Sequence, residues 1–228
     1  MSRDPSLAYP PLPRQPGRSE PWWRRLLALP GRRHRRRACA HALYVALVEQ
    51  ARLPVFYARW GVPDSRDGRL ELVSLHAILV MRRLQAEGAA GRELAQTLFD
   101  VMFADLDRHL REWGVGDLSV GKQVKKLAES FFGRVAALDP LLAGSDPAAL
   151  DEVLRRNVYG EAAAPDAAAL RRLGDYLCAQ ARHLAAGDGD ALLAGRVRFA
   201  APEELPPSRA RPDDAPPRHG VDPEPAGH

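Results

Sequence analysis

The chain is poor in the features on which most enzymes and membrane spans are built. It has two cysteines in 228 residues, Cys39 and Cys178, and neither belongs to a C-x-x-C pair. A disulfide framework and a cysteine zinc site are therefore excluded, and both thiols read as small buried hydrophobes in a reducing compartment. No apolar run approaches the roughly 18 residues required to cross a bilayer. LLALP, flanked by arginine and followed by no small-residue cleavage pattern, is not expected to act as a secretory signal. No H-E-x-x-H, EF-hand or Gly-rich phosphate loop occurs, and Ser119 and Ser130 have no G-x-S-x-G context or histidine partner. His76 has no His or Cys three or four residues on, so it is not read as a metal ligand.

Proline and acid are scarce in particular places. Only five of the 20 prolines lie between residues 38 and 200, and seven precede them. Residues 1–37 hold ten arginines against Asp4 and Glu20, a net +8, whereas 38–200 is net −1 and 201–228 is net −3. The basic pI thus belongs to the N-terminal arm. Proline-rich, charged, aliphatic-poor ends cannot offset the entropy of ordering, so 1–37 and 201–228 are expected to be disordered arms around one folded domain, 38–200.

What is present is helical periodicity. Leu94, Leu98, Met102, Leu106, Leu110 and Trp113 recur at steps of three or four, and so do Val120, Val124, Leu127, Phe131, Val135, Leu138 and Leu142. Gly114 to Asp117 separates the two stripes, with Gly114 suited to a helix end and Asp117 to the next N-cap, which predicts an antiparallel helical hairpin. At 100° per residue Asp100, Asp107 and Arg111 share one flank of the first helix and Asp105 and Glu112 the other; Lys122, Lys125, Lys126 and Glu129 share the wet face of the second. Residues 38–52 form a first helix with Leu43, Ala46, Leu47 and Ala51 inward. Phe56, Tyr57 and Trp60 form an aromatic cluster expected against the hairpin. Residues 69–87, apolar on most of their circumference, form a buried central helix. Helices over 147–157 and 165–186 follow, and ALLAGRVRF reads as a short helical turn or an extended end. With no strand alternation, the fold class is all-α: one helical bundle with the hairpin at its centre.

Two surfaces carry chemistry. Trp22, Trp23, Arg24 and Arg25, with Arg32, Arg33, Arg35, Arg36 and Arg37, combine indole rings suited to the headgroup layer with guanidinium groups suited to anionic lipid. A basic solubilising tail and an RNA- or ribosome-binding arm are the other readings of that run. Asp100, Asp105 and Asp107 are the best enzyme candidates, since all-helical isoprenoid synthases hold Mg²⁺ with clustered aspartates. Against this, Asp105 lies off the shared flank, and Asp107 with Arg111 and Asp105 with Arg108 are spaced as helix-surface ion pairs.

HAILVMRRL, LFDVMFADLDRHLREWGVGD, VGKQVKKLAESFFGR and RRNVYG, in that order and spacing over residues 40–185, resemble the ubiquinol–cytochrome c chaperone family. The resemblance implies a non-enzymatic assembly factor for the cytochrome bc complex, without a cofactor or small-molecule substrate. Its partners would be newly made or unhemed cytochrome b and a small helical companion, and its place the cytoplasm or the cytoplasmic face of the inner membrane. Carried over by position, the docking residues are Asp105, Asp107, Arg108, Arg111, Glu112, Asp117, Lys122, Lys125, Lys126 and Arg134. Gly114, Gly116 and Gly133 are assigned to turn geometry or close packing.

Overall fold

The computed structural model describes residues 30–112, 116–160 and 165–203. Their secondary structure is α-helical with short 3₁₀ and π turns, and they contain no strand. The eight α-helices are α1 (Pro30–Ala51), α2 (Pro54–Ala58), α3 (Arg66–Gln85), α4 (Gly88–Glu112), α5 (Asp117–Leu138), α6 (Pro147–Leu154), α7 (Ala167–Ala186) and α8 (Gly189–Leu193). A single contiguous apolar core draws side chains from all of them.

The helix starts are written in local chemistry. Ser65 Oγ accepts from Gly68 N–H (3.1 Å), Asp146 from Ala149 N–H (2.9 Å), Asp166 from Ala168 N–H (3.2 Å) and Asp188 from Asp190 N–H (2.9 Å). Each satisfies a backbone donor that a helix start leaves without an intrahelical partner. Pro54 and Pro147 stand at the first turn, where the missing N–H costs nothing. Between α3 and α4 the chain reverses within Ala86 and Glu87, with Gly88 at φ +65°. Three residues on, a Cβ at Gly91 would lie 1.9 Å from the Leu84 carbonyl oxygen, so only glycine lets the two helices meet this closely.

The all-round apolar helix is central, as its composition demands. α3 is buried from Glu71 to Met81 apart from the half-buried Val73, and packs on α1, α4 and α7. The hairpin forms from α4 and α5, with Phe99 and Phe103 against Phe131 and Phe99 against Phe132. Its turn, 113–115, lies outside the described residues; Gly116 is the N-cap and Asp117 the first helical residue, one place later than its expected cap role.

Three expectations need correction. The first helix starts at Pro30 rather than 38, so Arg32 to Arg37 belong to α1. The aromatic cluster packs away from the hairpin: Phe56 and Trp60 meet Tyr176 of α7, and Phe56 also meets His76 of α3. Gly133 is exposed, with nothing near its missing Cβ, so it serves no close packing; Gly91 is the glycine that does. ALLAGRVRF begins as α8, and after a turn a strap without regular secondary structure runs from Arg196 to Ala200, with Val197 and Phe199 packed against the core.

Under the strap lies a satisfied polar network. His76 is fully buried, its Nδ1 2.7 Å from the Leu72 carbonyl and its Nε2 2.7 Å from Tyr176 Oη. With Nδ1–H donating to the carbonyl, Tyr176 O–H donates to Nε2 and accepts from Gln50 Nε2 (3.1 Å) and Gln180 Nε2 (3.3 Å). Gln180 also bonds both backbone groups of Ala200, fastening the strap to α7. Burial depresses His76 to about 4, holding the imidazole neutral, and pushes the Tyr176 phenol up.

Candidate docking surface on the helical hairpin

The charges of α4 and α5 divide by depth. Near the core end of the hairpin they turn inward. Arg134 is 14% exposed and pairs with Glu71 of α3, itself 8% exposed, so Arg134 is a structural ion-pair partner and drops out of the docking set. The pair is tight but incomplete, because Glu71 Oε2 and Arg134 Nε have no hydrogen-bond partner. Burial raises Glu71 to about 7 despite the opposing pull of Arg134. Arg82 and Asp139 (2.8 Å) make a second tie from α3, to the segment after α5.

Farther out, Asp105 is partly withdrawn. Its carboxylate accepts from Tyr44 Oη of α1 at 2.8 Å, lies 3.4 Å from Arg108 and 3.3 Å from His109 Nδ1, and is 21% exposed. Burial and that carboxylate together raise the Tyr44 phenol. Asp105 thus acts chiefly as a link between α4 and α1.

At the turn end the picture changes. Leu110 and Val120 are buried but lie outside the contiguous core. The hairpin end therefore reaches beyond the contiguous core. Around it Arg108, Arg111, Glu112, Lys122, Lys125 and Lys126 are exposed. Arg111 pairs with Asp107 at 2.8 Å and Lys125 with Glu129 at 3.7 Å, the i,i+4 geometry their spacing requires. Lys122 and Lys126, one turn apart on α5, have no ion-pair partner among the described residues. The side chain of Asp117 lies outside them.

The aspartates weighed as a Mg²⁺ site do not converge. Asp100 bonds Gln96 (2.9 Å) and is half-buried, its carboxyl raised by burial against the pull of that bond and of Arg36 and Arg37. Asp105 is held by Tyr44 and Asp107 by Arg111. No three His, Cys, Asp or Glu side chains among the described residues are grouped to hold a metal ion.

The Arg run divides as well. Arg36 of α1 pairs with Glu93 of α4 and is only 30% exposed, which withdraws it from the surface set. Arg32, Arg35 and Arg37 remain exposed, Arg33 is half-buried, and Trp22, Trp23, Arg24 and Arg25 lie outside the described residues. No described helix is long and apolar enough to cross a membrane. A separate depression of about 560 Å³ lies between the ends of α3 and α7, α8 and the strap; its wall residue Arg83 is already engaged by Glu87 and the Leu184 and Gly187 carbonyls.

Sequence reasoning missed Glu71, Tyr44 and Glu93, the inward partners of Arg134, Asp105 and Arg36. Glu71 did leave a signal: an acidic residue within an otherwise apolar helix requires a buried cation.

The geometry defines an all-helical bundle that carries a charged, solvent-facing hairpin end. The chain belongs to the ubiquinol-cytochrome C chaperone family, whose model matches residues 58–199. Among curated relatives, the ubiquinol-cytochrome c reductase complex assembly factor 1 of Mus musculus is 25% identical over 158 residues, covering 69% of this chain and 53% of that protein. Its Xenopus laevis counterpart is 24% identical over 156 residues, covering 68% of this chain and 77% of that protein. The matched stretch thus spans about half the length of the mouse relative. Among solved structures, the Cbp3 homolog from Brucella abortus superposes with a TM-score of 0.68 and 35% identity, over 76% of this chain and 94% of that one.

Proposed function

We propose that this chain is an assembly chaperone for ubiquinol–cytochrome c reductase, binding a newly made subunit of that complex, cytochrome b, through the outer end of the α4–α5 hairpin. The observation that carries the reading is the division of charge along the hairpin. Arg134 and Asp105 are engaged within the fold, whereas Lys122 and Lys126 are exposed with no ion-pair partner among the described residues, and Arg108 and Glu112 of α4 are exposed as well. Exposed, unpaired charge on a rigid helical support suits a partner that must be met quickly, recognised and later released, because rim charges set on-rate and specificity more than affinity. The family and the names of the relatives support the assembly role. A small helical companion belongs to the same reading, and so does a peripheral place on the cytoplasmic side of the membrane.

The test is a crosslinked pull-down from membranes with the full chain and with Lys122→Glu plus Lys126→Glu, captured proteins being identified by mass spectrometry. Cytochrome b recovered by the full chain and lost with the charge reversal is the expected result. Equal recovery by both would remove the hairpin end from the site. Normal assembly of the complex in cells lacking the chain would overturn the function itself.

A further inference from the structure

The start of α1 runs against its own backbone. The unpaired N–H groups of a helix start favour carboxylates and repel cations, yet the first two turns carry Arg32, Arg33, Arg35, Arg36 and Arg37, with no acidic residue in the first turn. A local conflict of this kind is kept where another interaction compensates it. The fold supplies part of that compensation through Glu93 on Arg36, and Asp100 lies close enough to interact with Arg36 and Arg37. Arg32 and Arg35 have no such partner among the described residues.

Helical geometry then decides what accompanies them. Ala40, Leu43, Leu47 and Ala51 face the core. On the opposite side Ala38, Ala42 and Val45 form a smooth exposed strip, and Val45, at 41%, is the large apolar side chain left most open to solvent in the described fold. Arg35 borders this strip on one edge and His41 on the other, Arg32 and Arg37 stand farther round on the two flanks, and the exposed His34 and Glu49 close its two ends. Directly before Pro30 the sequence reads WWRRLLAL. α1 also lies outside the residues that the family model matches.

We propose that the outer face of α1 docks on an anionic bilayer, with Ala38, Ala42 and Val45 toward the acyl boundary and Arg32, Arg35 and Arg37 among the headgroup phosphates. An arginine-flanked apolar strip on a helix lying in the plane of the interface is the arrangement such a surface selects. An RNA backbone would attract the same arginines but gains nothing from the strip between them. This deepens the peripheral location given above and leaves the hairpin end free for its partner.

The test is sedimentation of the full chain with phosphatidylcholine vesicles, with and without phosphatidylglycerol. Binding should require the anionic lipid. Arg32→Glu plus Arg35→Glu should weaken it by roughly tenfold or more, since each removes an attraction and adds a repulsion. Val45→Asp should weaken it at low and high salt alike, whereas Arg156→Glu plus Arg172→Glu, the same charge change on other elements, should leave it within about twofold. Far-UV circular dichroism confirms that each variant is folded. Equal binding to uncharged vesicles, or no effect of the α1 reversal, overturns the proposal. So does failure to bind vesicles while RNA is captured through the same arginines. Pull-down of cytochrome b in detergent by the α1 variant separates this proposal from the chaperone reading, because capture there depends on the hairpin alone.

Discussion

The two halves of α5 are built from similar residues and do opposite things. From Phe131 onward the helix is wedged into the core: Phe131, Val135 and Leu138 are buried, and Arg134 is drawn down onto Glu71 of α3. From Val120 to Glu129 the same helix touches the core with one edge and presents Lys122, Lys125 and Lys126 to water. A cation on an amphipathic helix is therefore structural or available according to what the neighbouring helix puts opposite it. On the helical wheel Arg134 falls at the edge of the apolar stripe, beside Leu127, whereas Lys122, Lys125 and Lys126 fall on the opposite, wet face. The difference predicts that charge changes in the inner half act on stability, and those in the outer half on binding.

The sharpest way to break that comparison is at the inner pair. Arg134→Ala leaves the buried Glu71 carboxylate without its cation and should cost about 3–5 kcal/mol in chemical denaturation. Replacing both partners, Glu71→Leu with Arg134→Met, should recover most of the loss, since a buried pair gains little over apolar residues of similar size. A loss below about 1 kcal/mol for Arg134→Ala would place Arg134 back among the surface charges.

Next in size is the pH response of the network under the strap. His76, near 4 in the fold and about 6.5 when unfolded, contributes stability that is fully present above 6.5 and is lost as pH falls toward 4. The lost amount is about 3 kcal/mol. Glu71, raised to about 7, works in the opposite sense: its contribution is present below its unfolded value and is lost as pH rises through 7. The two terms overlap, so the net slope of the native chain is small between them. His76→Gln should expose the Glu71 term as a protein that becomes more stable on mild acidification, read from urea titrations at successive pH values.

The outer half is expected to respond weakly in stability. Asp107→Ala, which removes the exposed pair to Arg111, should cost about 0.3–0.5 kcal/mol. Lys122→Glu plus Lys126→Glu should change stability by less than about 0.5 kcal/mol, because both side chains are exposed and have no ion-pair partner among the described residues. Partner capture should nevertheless fall sharply in the lysine variant. A large stability loss there would mean that the lysines serve the fold.

Much of the bundle was legible in its sequence because core burial leaves a 3.6-residue trace. The apolar circumference of 69–87 is what makes α3 central, and the paired stripes of 94–113 and 120–142 are what close the hairpin. The family was legible from the ordered blocks around LFDVMFADLDRHLREWGVGD. Partner choice between helices was not. The pairings of Arg134 with Glu71, Tyr44 with Asp105 and Arg36 with Glu93 join residues more than 50 positions apart, and no local period encodes them. The aromatic cluster was misplaced for the same reason: its residues are apolar enough to pack anywhere, and the polar anchor of Tyr176 on His76 decides where. The start of α1 was missed because arginine is a good helix former whose unfavourable place at an N-terminus weighs less than its propensity.

The outer half of the hairpin, and not the inner, is proposed to meet the partner. This is tested most directly by placing a photoreactive amino acid at Lys126 in one chain and at the inner, solvent-exposed Gly133 in another, and irradiating membranes that are assembling the complex. An adduct with cytochrome b is expected from position 126, and little or none from 133. Equal adducts from both positions, or adducts from 133 alone, would contradict it.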